Sequence, residues 1–546
     1  MPFDGLVTRN ICKEFNEKLI YGKVDKIIQP RKDEVILFIR NNRTTYKLLL
    51  SINAENGRAH ITESSLFNNP EKPFNFCMVL RKHLMGGKLT NISQVGNDRI
   101  INFTFENSNE LGDKEIKTLI IEIMGKHSNI ILATKNGTIL DSAKHIDFEI
   151  SSVREIMPGR TYILPKTQEK LDPFLVKKED FNEKLKETKN LSKIFTGLSS
   201  KINNENLDTY NQFTNFINRK ISPVIFTEKL EYLDFYFTDL KEYKSSMSFE
   251  SLSLAIDTYY NKKLKEQELK NKKHCLLVGI LSLKEKIKKK LSIIDEKINS
   301  TKEMEDLRIK GELLSANIYK IRPYQEKITV ENYYDNSTIT IKLDKNLSPS
   351  QNVQKIFKKY TKLKNTLTSC TKQSQELNNE LEYIESVAFS INMQSKIEDL
   401  EEIEEELIKG SLIKKQNSKK KTLISSYLKF NYKGFNIFVG KNNIQNDNLT
   451  FTIARKGDIW FHVKNAPGSH TILKATNEEI SEDILEFSAS LAAFYSKLKE
   501  SPKVEIDFTE VKNVKKIPGQ KPGMVTYTNY KTIYIEPNDG CSNLLQ

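Results

Sequence analysis

The chain has 546 residues, with 85 Lys plus Arg against 71 Asp plus Glu and a formal net charge of +14 at pH 7. That length holds three or four domains. The moderate, dispersed basic excess suits a large RNA surface better than one tight DNA groove, although a Lys-rich proteome gives the same excess without a partner. The cysteines, Cys12, Cys77, Cys275, Cys370 and Cys541, form neither a CxxC pair nor a zinc-ligand spacing, and with no signal-peptide pattern and no membrane-length apolar run they predict a soluble protein of the reducing cytosol.

Residues 1 to about 170 read as mixed α/β. Val7, Ile11, Phe15 and Leu19 recur every four residues and predict one apolar helical face. Strand-like runs follow at Lys23–Gln29, Glu34–Arg40 and Thr45–Ser51, punctuated by Arg31-Lys32-Asp33 and Asn41-Asn42-Arg43 as in a meander. A helix is expected over Phe74–Met85, stopped by Gly86-Gly87, then strands at Arg99–Phe105, Lys117–Ile123 and Asn129–Thr134. Residues about 171–245 read as helical, with Phe195-Thr196-Gly197-Leu198-Ser199 as a turn between helices; such a module can offer backbone N–H groups to phosphates, and a plain helical connector reads equally well.

Two long polar helices are expected at about 250–310 and 355–410. Ile280, Leu283, Ile287, Leu291, Ile294 and Ile298 on the first, and Leu377, Leu381, Ile384, Ala388 and Ile391 on the second, keep the three-and-four spacing of a coiled-coil seam. The strand- and turn-rich Ile321–Asn352 between them predicts an antiparallel arm with a small tip. Lys262 to Ser300 holds 12 Lys against 5 acidic residues, a face for RNA or simply a solvated one. The acidic Glu398–Glu406 and the basic Lys409–Lys421 read as a linker at the base of the arm. Residues about 425–546 form a last α/β domain with strands at Gly434–Val439, Thr450–Ala454, Val504–Phe508 and Thr532–Ile535 and a helix over Ile480–Leu498.

No Walker A loop, GxSxG, HExxH or zinc cluster is present, so no catalytic residue, metal or cofactor is expected. The polar motifs point instead to binding. Arg81-Lys82-His83-Leu84-Met85-Gly86-Gly87-Lys88 joins a cationic helix end to a Gly pair. Asn97-Asp98-Arg99 opens a strand, and Ile121 to Asn129 runs an apolar strand into a cationic loop. An Arg fork binds a base edge or phosphate, and an Asp accepts from a base amino group; each is otherwise a turn-stabilising pair. Near the C-terminus, Asp458-Ile459-Trp460-Phe461-His462-Val463-Lys464-Asn465-Ala466-Pro467-Gly468-Ser469-His470, preceded by Lys441 to Asp447, leads the only Trp of the chain into a Pro-Gly turn. Such a loop at a sheet edge suits phosphate or base contact.

These segments resemble, in order and spacing, the RqcH/NEMF family of NFACT proteins. The resemblance runs through Asp4-Gly5-Leu6-Val7-Thr8-Arg9, Arg81–Leu89, Asp98-Arg99, Glu122–Asn129, Arg308-Ile309-Lys310-Gly311-Glu312-Leu313-Leu314 and the Trp460 segment. Without the C-terminal extension of eukaryotic members, the chain is similar to the bacterial branch. Met85 departs from the Glu usual in relatives.

The resemblance implies an α+β multidomain chain. Its parts would be an NFACT-N domain of DNA-glycosylase-like fold at 1–172, a helix-hairpin-helix module at 173–248, a coiled-coil arm at 249–424 with its tip at 306–354, and an NFACT-R RNA-binding domain at 425–546. It further implies a cytoplasmic, ribosome-associated, non-enzymatic factor. Such a factor binds large subunits carrying peptidyl-tRNA, recruits a tRNA (tRNA-Ala in bacteria) and supports template-free alanine tailing, with a small basic RNA-binding protein as helper.

By the same resemblance Asp98, Arg99, Arg9, Lys82 and His83 contact tRNA. Glu122, Ile123, Met124, Lys126 and His127 engage tRNA or the subunit, and Trp460, His462, Lys464, Ser469 and His470 contact RNA. Two other readings exist. Relatives bear the label of fibronectin-binding surface adhesins, which the missing signal and anchor patterns oppose. A DNA-glycosylase activity through Pro2 is opposed by Phe3, where those enzymes carry Glu, and by the missing four-Cys finger.

Overall fold

The computed structural model describes the chain apart from residues 1–2, 65–69, 109–112, 152, 166–169, 230, 414–425, 476–478, 541–543 and 546. Pro2, Cys541 and most of the basic run after Lys409 therefore lie outside the described residues. The chain divides into two compact units, Met1–Glu266 and Gln267–Gln546.

In the first unit, α1 (Gly5–Leu19) starts at Asp4, whose Oδ1 accepts the Val7 N–H at 3.0 Å, a side-chain N-cap. Val7, Ile11, Phe15 and Leu19 are all fully buried, as their spacing predicts. Strands β1 (Lys23–Arg31), β2 (Glu34–Asn41), β3 (Thr44–Ser51) and β4 (Arg58–Ile61) precede α2 (Asn75–Leu84). Then come β5 (Lys88–Gln94), β6 (Ile100–Ser108), β7 (Lys114–Glu122), β8 (Asn129–Thr134) and β9 (Ile139–Ser142). Together they form one antiparallel nine-stranded sheet among the described residues, ordered β4-β3-β2-β1-β5-β6-β7-β8-β9. The β2–β3 hairpin turns at Asn42 and Arg43, both with positive φ, as a two-residue turn between right-twisted strands requires. One sheet face packs Leu37, Leu48, Phe103, Phe105, Leu119 and Ile121 with both helices. The other carries a smaller cluster of Ile100, Ile120, Ile131, Ile139 and Ile156.

Beyond the sheet lie α3 (Lys178–Glu187), α4 (Leu191–Ile194) and α5 (Tyr210–Ile217), with Phe181, Phe195 and Phe213 in mutual ring contact at 4.6–5.9 Å. The helical reading of 171–245 fails after Ile217. Pro223 precedes β10 (Val224–Glu228), β11 (Glu231–Tyr236) and β12 (Ser246–Ser248), a small sheet ordered β11-β10-β12. The β-branched and aromatic residues of Val224-Ile225-Phe226 and Phe235-Tyr236 prefer a pleated surface, and all five are buried.

Helix α6 (Leu252–Asn299) runs from the first unit into the second. It is followed by α7 (Met304–Ala316), the hairpin β13 (Lys327–Asn332) with β14 (Ser337–Lys342), then α8 (Pro349–Met393) and α9 (Ile397–Lys409). In the second unit Leu276, Ile280 and Ile287 of α6 pack with Tyr383, Ile384, Val387 and Ile391 of α8. Lys273 Nζ donates to the Asn392 carbonyl at 2.9 Å and Lys284 meets Glu385 at 2.6 Å, so the two helices run antiparallel. Ser348 and Gln351 form a capping box at the start of α8, with Pro349 at the first helical position. Leu313, Leu314, Ile328, Val330 and Ile341 give the tip its own core.

The expected acidic linker is instead a folded helix: Leu400, Ile403 and Leu407 of α9 are fully buried. Its acidic residues concealed an apolar stripe at three-and-four spacing. The C-terminal segment contains β15 (Leu428–Tyr432), β16 (Phe435–Val439), α10 (Asn443–Asn448), β17 (Ile459–Val463), β18 (Thr471–Leu473), α11 (Glu482–Phe494), β19 (Val504–Glu510), β20 (Val514–Lys516), β21 (Val525–Tyr527), β22 (Lys531–Ile535) and β23 (Leu544–Leu545). Its main sheet is ordered β22-β19-β17-β18-β16-β15-β23, and β20 pairs β21. The strand expected at Thr450–Ala454 is absent: Leu449–Ile453 is π-helical. Burial of Leu449 and Thr450, with the Thr450 hydroxyl 2.7 Å from His470 Nδ1, overrides the β-preference of its residues.

Candidate nucleic-acid interfaces

In the first unit the β5–β6 turn carries Asp98 and Arg99. Asp98 Oδ1 accepts the Arg99 N–H at 2.7 Å, and Gln94 Nε2 donates to the carbonyls of Asp98 at 2.8 Å and Gly5 at 2.9 Å. Asn97 is buried behind this turn and donates to the Thr196 carbonyl at 2.8 Å. Gly5 and Gly197 lie so close to Asn97 that a Cβ on either would fall 2.2 Å or 1.8 Å from its carbonyl oxygen, and Gly197 has φ +71°. Glycine is required at both. Asp4 Oδ2 completes the lock, accepting from Ser199 Oγ at 2.8 Å and the Tyr236 hydroxyl at 3.0 Å. Burial raises the Asp4 carboxyl above its ordinary value, against four groups that lower it: the Val7 N–H, Ser199, Lys201 and Tyr236.

The resulting concavity is lined by Asp98, Arg99, Met124, Lys170 and Asp172 among others. Arg9 stands at a neighbouring groove with Lys13, Gln94 and Gly96, its guanidinium 3.8 Å from the centre of the Phe174 ring. Lys126 and His127 are exposed on the β7–β8 turn. Glu122 and Ile123 are fully buried. Glu122 receives a bidentate pair from Arg154 at 2.6 and 2.7 Å and a hydrogen bond from Tyr162 at 2.7 Å. It therefore anchors the base of the turn and presents nothing to a ligand. Lys82 and His83, in the last turn of α2, sit at the start of β5, whereas Asp98 follows its end. Six residue steps of strand separate them by roughly 20 Å. The structure thus gathers Arg9, Asp98, Arg99, Met124, Lys126 and His127 toward one end of the sheet and leaves Lys82 and His83 at the other. Burial, then Lys117 and Lys82, lowers the His83 pKa.

In the second unit Trp460 is fully buried. Its ring lies parallel to His462 (5.6 Å, 8°), edge-on to His470 (5.3 Å) and 4.8 Å from Tyr527. His470 is pinned by the Thr450 contact and by its own N–H donating to Asn446 Oδ1 at 3.1 Å. Burial, with the neighbouring His462 adding to it, pushes its pKa down to about 3; desolvation lowers His462 too. Both imidazoles are neutral at pH 7. Ser469 is buried, and Lys464 pairs with Glu505 at 3.2 Å on the surface. Among the described residues no cluster of three or more His, Cys, Asp or Glu is placed to hold a metal.

The Lys441–Asp447 motif turns most of its polar side chains inward. Lys441 Nζ meets Asp399 at 3.0 Å, Asn442 and Gln445 donate to Glu402 at 2.7 and 2.8 Å, and Asn443 donates to Glu406 at 3.2 Å. Tyr383 also donates to Glu406, at 2.6 Å. Burial raises this carboxyl to about 7. The sequence motif is the complement of α9's buried acidic face. Arg154, Tyr162, Glu402, Glu406 and Tyr527 escape a sequence reading because each acquires its role only from a partner distant in the chain. Gly197 alone carries a local sign, its place in a turn.

No helix among the described residues is long and apolar enough to cross a membrane. The model of the NFACT N-terminal and middle domains matches residues 4–425, and that of the NFACT protein RNA binding domain matches 426–529. The chain is 38% identical to the Rqc2 homolog RqcH of Streptococcus pneumoniae serotype 2 over 98% of both chains. It is 34% identical to the Rqc2 homolog RqcH of Bacillus subtilis, again over 98% of each. A 28% portion is 30% identical to the human ribosome quality control complex subunit NEMF, covering 13% of that protein. A solved N-terminal part of a fibronectin/fibrinogen-binding protein from Streptococcus suis is 38% identical, covers 48% of this chain and 99% of its own, and superposes with a TM-score of 0.45. The chain belongs to the NFACT family, in the company of the RqcH proteins.

Proposed function

We propose that this protein is a cytoplasmic ribosome-associated quality-control factor. It binds stalled large ribosomal subunits that still hold peptidyl-tRNA, recruits a tRNA, tRNA-Ala in particular, and supports template-free alanine tailing that marks the nascent chain for degradation. The observation that carries this reading is the 38% identity to RqcH across 98% of both chains, joined to a C-terminal segment matching an RNA-binding domain. The working parts are 1–172, 173–248, 249–424 and 425–546. Asp98 and Arg99 read the tRNA from the held β5–β6 turn, with Arg9, Lys126 and His127 beside them. An Arg fork and a carboxylate acceptor are the groups that base edges and phosphates need. The protein is not itself an enzyme in this scheme: ribosomal RNA transfers the peptide, and this chain contributes positioning.

The test is to purify the tagged wild type and an Asp98→Ala/Arg99→Ala variant from cells and sequence the RNA that comes with each. The expected result is large-subunit rRNA with both proteins and an enriched tRNA with the wild type alone. A wild type that carries neither rRNA nor tRNA would sink the reading.

A further inference from the structure

Within the second unit, a cavity of about 560 Å³ opens between α8 and the C-terminal sheet. Trp460, His462, Tyr527, Asn446 and Gln520 contribute to its walls. Two features mark it as built for a ligand. The walls combine ring faces, two parallel and a third 4.8 Å away, with side-chain amides able to donate and accept. And the Trp460 Nε1–H, in a residue with no exposed surface, has no hydrogen-bond partner among the described residues. A buried, unsatisfied donor is costly, and a ligand acceptor removes that cost.

The rim is polarised. Residues 511–531 hold five lysines and no acidic residue. Their loop closes on the cavity at Gly523, where φ is +79° and a Cβ would stand 3.0 Å from Asn443 Oδ1. The α8 wall instead carries Glu382 and Glu385, the latter paired with Lys284 at 2.6 Å and Lys497 at 3.8 Å. Lys512 pairs with Glu510 at 2.7 Å and Lys516 with Asp447 at 2.6 Å, so a phosphate strand passing this side meets Lys515 and lysines shared with carboxylates, while the cavity interior is aromatic.

We propose that this cavity receives a single unpaired RNA base, with the flanking phosphates running along the Lys512–Lys521 segment. The inference deepens the RNA-binding reading of the C-terminal segment and rests on it. An aromatic-walled slot with mixed donors and acceptors recognises the face and edge of a base, and a lysine-bearing rim tracks the strand. The base enters beside Tyr527 and presents an acceptor to Trp460 Nε1.

The chain's only Trp makes the test direct. Full-length protein is titrated with short single-stranded RNA homopolymers of each common nucleotide and with their fully abasic counterparts, following Trp460 emission and, separately, affinity. At least one base-bearing RNA is expected to change the emission and bind more tightly than its abasic partner. Tyr527→Leu should weaken that RNA at least about fivefold, the low end of a lost base–aromatic stack, and leave the abasic strand unchanged. Gln520→Ala, on an exposed loop where misfolding is not at issue, should narrow the same gap. Lys515→Ala should weaken both strands and lower the salt slope by about one.

If base-bearing and abasic strands bind equally, the base pocket falls while RNA binding by the segment stands. If neither strand binds, the RNA-binding reading falls with it. A salt slope unmoved by Lys515→Ala overturns the phosphate path.

Discussion

The two candidate interfaces solve opposite problems. In the first unit the charged residues Asp98 and Arg99 line a surface concavity, and the buried chemistry lies behind them. There the Asp4–Ser199–Tyr236 and Asn97–Thr196 bonds and the Glu122–Arg154–Tyr162 cluster fix the turn. In the second unit the residues singled out from the sequence are themselves the buried part: Trp460, Ser469 and His470 have almost no surface. The difference teaches that a polar motif read from sequence is either a tip or a scaffold. A tip offers side-chain ends that can be exchanged without unfolding anything. A scaffold offers only the hollow its packing leaves.

The comparison can be broken most forcefully at Arg154. Arg154→Ala leaves the Glu122 carboxylate buried without its cation and should destabilise the first unit by about 3–5 kcal/mol, read as a lowered thermal midpoint with faster hydrogen exchange in β7. An unchanged midpoint would mean that Glu122 reaches water and belongs with the surface tips.

Glu406 gives the matching test in the second unit, with an effect that depends on pH. Its pKa rises from 4.5 to about 7 on folding. Between those values the native state keeps a proton that the unfolded chain has lost, so stability falls as pH rises from about 4.5 to about 7 and stays low above. At about 1.4 kcal/mol per unit the total approaches about 3 kcal/mol. His470 acts in the opposite sense. Its pKa drops from 6.5 to about 3, so the unfolded chain holds the extra proton across that window and stability rises with pH. Glu406→Gln keeps an oxygen to accept from Tyr383 and Asn443 but carries no charge. It should match wild type near pH 4.5 and exceed it above pH 7 in denaturant melts, exposing the His470 slope in between. A constant gap at all pH values would show that Glu406 does not change protonation on folding. The smallest effect belongs to Lys464→Ala, which removes a surface pair with Glu505 and should leave the midpoint of the same melts unchanged, because solvent screens such a pair.

Much of the architecture was legible where the signal is local. The β1–β3 meander announces itself through Arg31-Lys32-Asp33 and Asn41-Asn42-Arg43, and the arm through two apolar seams. The departures have two causes. The helical reading of 171–245 passes over a local signal, the β-branched and aromatic residues of the Val224–Tyr236 hairpin. The linker reading of α9 and the strand at Thr450–Ala454 fail because partners further along the chain decide the outcome: α9 becomes a packed helix because Asn442, Asn443 and Gln445 meet its carboxylates about forty residues later. At the sites, sequence supplied Asp98-Arg99 and the Trp460 segment but not Glu122's burial, since Arg154 lies 32 residues downstream. Nor did it supply Tyr527, which stands in no motif.

Asp4 accepts from Ser199, 195 residues later, and from Tyr236, 232 residues later; Glu14 of the same helix accepts from the Ser253 N–H, 239 residues later. During synthesis at roughly 5–20 residues per second, α1 therefore waits on the order of ten to fifty seconds for the groups that satisfy its buried carboxylates. Until Ser253 has emerged, the earliest-made helix of the chain is among its least finished parts. The bonds from Asp4 to Ser199 and Tyr236 and from Glu14 to Ser253 can therefore form only after most of the first unit has been made.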